Sequence, residues 1–173
     1  MLFKVLCGIV IILGFTYCGL SYGEKIKQRV KQLAELCDGL TLLEFNIRYM
    51  NYPIIEAFYN MGQVCNGIIG EIFKRSAQIL SGKTGNMPGE AFLTAINENI
   101  GSLTITDDEI NILRSFSKTL GEGDKEMEIS NIKTAKARLS ASMSQAEEEI
   151  GKKVKISRSM GVMLGLFVVI VLF

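Results

Sequence analysis

The chain has 173 residues, 48% of them hydrophobic, and a net charge of +1 from 19 Lys and Arg against 18 Asp and Glu, with no histidine. Balanced charge without a basic, aromatic-interleaved face excludes a nucleic-acid binder, and the missing histidine removes the commonest general base and the commonest transition-metal ligand. The 4 cysteines include no CxxC pair, so free thiols in a reducing compartment are expected.

Val5 to Gly23 carries no charge. At 1.5 Å per helical residue it has about the reach of a ~30 Å hydrocarbon core, so residues 1–23 are expected to form an N-terminal transmembrane helix. Lys25, Lys27, Arg29 and Lys31 follow at once, and such a flank holds the next segment on the cytoplasmic side. The alternative is a surface-anchored secreted helical domain whose signal peptide is cleaved after the small-x-small triplet Ser21-Tyr22-Gly23. The basic flank opposes it, because those charges would have to cross the membrane.

From Ile26, apolar residues recur at Val30, Leu33, Cys37, Leu40, Leu43, Ile47 and Met50, the steps of three and four of one long helix face. Asp38-Gly39 costs about 1 kcal/mol of helix propensity and predicts a bend. Asn51-Tyr52-Pro53 ends this helix, and Pro53 suits the first turn of another, Ile54 to Met61, with Ile54, Phe58 and Met61 inward. A third runs from Ile68 to Leu80, turning Ile69, Ile72, Phe73 and Leu80 inward. The glycine-dense stretch from Ser81 to Gly89 is a loop, and a short helix from Glu90 to Asn99 buries Phe92, Leu93 and Ile96.

Thr106-Asp107-Asp108-Glu109 reads as a capping box. It opens a helix with Ile110, Leu113, Phe116 and Leu120 on one face, closed by Gly121. Asp124 caps the longest helix, whose stripe is Ile129, Ile132, Leu139, Met143, Ala146, Ile150 and Val154, interrupted by Lys136. Its heptad-like steps predict antiparallel packing on the helix from Ile26.

Lys152, Lys153, Lys155 and Arg158 then precede a second uncharged run, Met160 to Phe173. Extended back to Ile156, with Arg158 reaching the headgroups, residues 156–173 make a C-terminal transmembrane helix. Both basic flanks put residues 24–155 in the cytoplasm and both termini outside. Gly19 and Gly23, extended by Gly14, and Gly161 and Gly165 are spaced for close helix packing in lipid. The fold class is all-α: a cytoplasmic antiparallel bundle of about six helices whose first and last members continue into the membrane.

Chemistry is sparse. Ala77 to Thr84 satisfies a relaxed phosphate-loop pattern, which makes a nucleotide-binding protein the other alternative. That loop needs a strand before it and a helix starting at its lysine. Here a helix precedes, and Gly85 to Gly89 cannot begin one at Lys83. The acidic clusters are accounted for by a helix N-terminus at Asp107 to Glu109 and by i,i+4 pairs such as Glu148-Lys152. Serines and cysteines have no histidine to activate them. No catalytic residue, cofactor, metal or small-molecule substrate is implied.

Leu43-Glu44, Ile47, Tyr49, Pro53, Glu56 and Ala57, then Phe73, Ala77 and Ala91-Phe92, and above all Leu120-Gly121-Glu122-Gly123-Asp124, form a pattern spread nearly end to end. On these residues the chain resembles the stage III sporulation protein AB family of endospore-forming bacteria. The resemblance implies a helical bundle similar to the cytoplasmic domain of the type II secretion F protein, held in the mother-cell membrane around the forespore. It implies a platform in the channel complex joining the two cells. Its partners would be the membrane, a secretion-type ATPase (the stage III sporulation AA protein) and the other channel subunits, with a homo-oligomer also open. The candidate partner surface comprises Glu44, Tyr49, Pro53 and Glu56 near the first elbow, and Gly121 and Asp124 at the later turn. The competing reading is that Pro53, Gly121 and Asp124 only start and stop helices. Phe92 and Glu128 stand where the family has tryptophan and glutamine, in segments expected to touch a partner.

Overall fold

A computed structural model describes the backbone of residues 2–82, 85 and 87–172, and the side chains of residues 24–82, 85 and 87–150. The elements are α1 (Leu2–Phe45), a π-helical turn (Asn46–Met50), α2 (Ile54–Val64), α3 (Gly67–Ser81), α4 (Pro88–Glu98), a 3₁₀ turn (Ile100–Ser102), α5 (Asp107–Thr119) and α6 (Lys125–Leu172). The protein is all-α, with six α-helices and no strand among the described residues.

The chain forms two compact units. One joins Met1–Gln28 with Gln145–Phe173. In it Ile26 and Ala146 are buried, and exposed Lys27 pairs with Glu24 at 3.3 Å. The side chains of both apolar runs, with Gly14, Gly19, Gly23, Gly161 and Gly165, lie outside the described residues. Among the described residues, no helix is long and apolar enough to cross a membrane.

The other unit, Arg29–Ser144, holds the main core. Leu33, Leu36, Leu40 and Leu43 of α1 are buried with Ile129, Ile132 and Leu139 of α6, at the three-and-four spacing of amphipathic helices. The stripe fails at one position: Met50 is 49% exposed. Its cause is the π turn, whose wider i→i+5 bonding shifts the helical phase before the stripe ends. Asn51 then closes the helix in the left-handed region, at φ 51°, a conformation asparagine tolerates better than most residues.

Gly39 does not interrupt α1. A Cβ there would stand 2.8 Å from the Phe73 ring, so the glycine makes room for an aromatic from α3. The helix ends follow ordinary cap chemistry. Proline leads α4, where its missing N–H is no loss, and the capping box at Thr106 opens α5 as the sequence predicts. The four middle helices converge on Phe58, Phe73, Phe92 and Phe116, with ring centroids 5.7–6.0 Å apart.

Candidate functional site

The elbow between α1 and α2 is built by backbone geometry. The Asn46 carbonyl accepts N–H bonds from Asn51 and Tyr52, folding the chain back after the π turn. The turn leaves Tyr49 67%, Met50 49% and Phe45 44% exposed. Phe45 and Tyr49 rest against each other, ring centroids 5.4 Å apart. Large apolar groups gathered on one corner mark a contact surface more than singly scattered ones do. Among the described residues, the Asn46 amide nitrogen is buried without a hydrogen-bond partner.

Glu44 behaves differently from its neighbours. Its carboxylate pairs with Arg48 at 3.3 Å and with Lys133 of α6 at 3.9 Å, and its side chain is only 17% exposed. It ties α1 to α6. Pro53 is exposed and precedes the first residue of α2. Glu56 is exposed in the first turn of that helix, where an anion favours the macrodipole.

The turn from Leu120 to Asp124 is held by three local devices. Gly121 sits at φ 87°, and a Cβ on it would come 2.8 Å from Pro88. Its N–H donates to Glu128 Oε1 at 2.8 Å. Asp124 Oδ1 accepts the Met127 N–H at 2.8 Å, capping α6. Gly121 and Asp124 therefore carry helix-stop and helix-start functions whatever else they touch.

Lys125 Nζ donates to Asn51 Oδ1, which brings the turn against the elbow. The elbow with Tyr49 and Pro53 and the turn with Asp124, two segments in the sequence reading, thus belong to one region. Met127, beside Gly123 in the turn, is 57% exposed. Sequence reasoning missed Phe45, Met50, Asn51, Lys125 and Met127 here. Periodicity points Met50 inward, and a lysine-to-asparagine contact between residues 74 apart leaves no local trace.

Two expectations are corrected by burial. Phe92 is fully buried in the ring cluster and Glu128 is 7% exposed, so neither lies on an accessible partner surface. Burial pushes the Glu128 carboxyl above its ordinary value, and the Gly121 N–H lowers it by less. A folded-state value above the unfolded one means that ionised Glu128 opposes folding once pH exceeds that range. The opposition disappears as pH falls through it. Glu128→Gln keeps a carbonyl for Gly121 and removes the charge. Its unfolding midpoint is expected to exceed that of the parent at pH 7, by a margin that narrows as pH is lowered toward the carboxylate range. A midpoint difference independent of pH contradicts this.

Among the described residues, the groups that the sequence singles out for chemistry lie in a helix or are partly buried. Ala77 to Ser81 form the last turn of α3, so they are not a phosphate-cradling loop. Lys83 and Thr84 lie outside the described residues. Cys37 and Cys65 are free. Burial raises both thiols, with Asp38 adding to Cys37 and Glu35 and Asp38 to Cys65, which disfavours the nucleophilic thiolate. Arg29 and Glu109 form a buried ion pair at 2.6 Å. Its carboxylate also accepts the Thr106 N–H at 2.6 Å. Gln32 accepts the Thr104 N–H at 2.8 Å and donates to the Ser102 carbonyl at 3.3 Å. These contacts fasten the segment before α5 onto α1.

A family model described as stage III sporulation protein AB matches residues 4–173. The stage III sporulation protein AB of Bacillus subtilis (strain 168) is 25% identical over 169 residues, 98% of each chain. A solved structure of a stage III sporulation protein AB superposes with a TM-score of 0.66 at 24% identity, over 71% of this chain and 96% of that one. That likeness is one of fold.

Proposed function

Because the chain belongs to the stage III sporulation protein AB family, we propose that it serves endospore formation as a non-enzymatic platform. Its two apolar ends anchor it in the mother-cell membrane around the forespore. Its helical body faces the mother-cell cytoplasm and docks a secretion-type ATPase, the stage III sporulation AA protein, to the channel complex. The membrane placement is supported by the two uncharged terminal runs and the lysine-rich flank inside each. The absence of histidine and the raised thiols support a role without catalysis.

The single observation that carries docking is the exposed apolar corner of Phe45, Tyr49 and Met50, joined to the start of α6 by Asn51 and Lys125. Exposed aromatics of this kind supply a large share of interface energy at small entropic cost. Tyr49→Ala with Met50→Ala in the full-length protein is expected to lower recovery of the ATPase from sporulating cells at least about tenfold, the equivalent of one hot-spot residue. Helix content by circular dichroism should not change, since both side chains face outward. Undiminished ATPase recovery would remove the elbow as the docking site.

A further inference from the structure

A second surface starts at Tyr52, beside the elbow corner, and runs along α2 and α3. Tyr52, just before α2, and Glu56 and Tyr59 on α2 face Lys74, Ala77 and Gln78 on α3 across an open groove of about 760 Å³. One end of it is fixed by Gly62, where a Cβ would stand 2.9 Å from the Lys74 backbone. The two helices touch there, and the two-residue link Cys65-Asn66 makes them antiparallel neighbours. Tyr52 and Tyr59 are 40% and 58% exposed. Glu56 and Lys74 are exposed on opposite walls, and among the described residues neither has an ion-pair or hydrogen-bond partner on its side chain.

We infer that this α2–α3 face is a two-fold interface between two copies of the chain. Any occupant must bring a cation to the α2 wall and an anion to the α3 wall, because desolvating either charge alone is costly. A second copy turned about a two-fold axis through the groove does both with the same two residues. Each Glu56 meets Lys74 of the second copy, as an isologous contact requires. The tyrosines supply the apolar and hydrogen-bonding area that interfaces favour over lysine- or glutamate-rich surface. This inference does not rest on the docking of an ATPase, which is argued from Phe45, Tyr49 and Met50.

The test uses two differently tagged full-length copies, co-expressed and solubilised from membranes in mild detergent. The parent copies are expected to co-purify. Two Glu56→Lys copies, or two Lys74→Glu copies, set like charges opposite each other and should co-purify about tenfold less or weaker still. One Glu56→Lys copy with one Lys74→Glu copy should recover parental co-purification. In that mixed pair the native Glu56 and Lys74 meet, and so do the two introduced charges. A misfolded variant could not be rescued in this way, and a pairing within one chain could not produce it. Parent copies that fail to co-purify, single variants that co-purify as the parent does, or a mixed pair that stays apart would each overturn the inference.

Discussion

Phe92→Ala is expected to destabilise the bundle by about 3–5 kcal/mol, the range for removing a fully buried aromatic. Phe92 lies at the centre of the ring cluster, with centroids 5.8 Å from Phe58, 5.7 Å from Phe73 and 6.0 Å from Phe116. Those partners come from α2, α3 and α5, so the cavity would open where four helices meet. Each lost ring contact adds roughly 0.5–1.5 kcal/mol to the cost of lost area. Against a total stability of about 5–15 kcal/mol for a typical domain, the variant should lose much of its cooperative transition. Thermal and denaturant unfolding of the detergent-solubilised chain measures this. A loss below about 1 kcal/mol would mean that the surrounding helices collapse into the space, contrary to the packing described.

Arg29→Ala is expected to cost about 3–5 kcal/mol, for an electrostatic reason. Arg29 Nη2 lies 2.6 Å from Glu109 Oε1, its Nε lies 3.1 and 3.2 Å from the two carboxylate oxygens, and the Glu109 side chain is only 1% exposed. Truncating the arginine strands a buried anion whose remaining acceptor bond, from the Thr106 N–H, belongs to the α5 cap. Neutralising both partners, as Arg29→Met with Glu109→Gln, should recover much of the loss, because no charge is then desolvated and the glutamine carbonyl can still serve Thr106. A double-mutant cycle reads this coupling directly. Additive losses from the two changes would show that the pair is not energetically linked.

The contrast between these residues shows what could be read from the chain alone. Phe58, Phe73, Phe92 and Phe116 each fall on a helical stripe, so their inward direction was legible from periodicity. Their convergence on one another was not, because periodicity says nothing about which helices become neighbours. Glu109 was legible as half of a capping box and Arg29 as part of a basic flank. The long-range bond between them makes each a different kind of residue. Periodicity misplaces Met50 because a π turn changes phase without any glycine or proline to announce it. Leu120-Gly121-Glu122-Gly123-Asp124 carried the family resemblance that the family match now secures. The candidate surface was legible only as two separate segments, an elbow and a turn. The Asn51–Lys125 contact that unites them joins positions 74 residues apart.

The ring cluster has one further consequence. Each of α2, α3, α4 and α5 contributes one phenylalanine to it, so no member can detach without stripping a neighbour of its contact. Partial opening of this region is therefore confined to the periphery, where backbone bonds are solvated and few side chains are shared. The elbow, with Tyr49 and Met50 exposed, lies in that periphery, so local opening there would leave the aromatic centre closed.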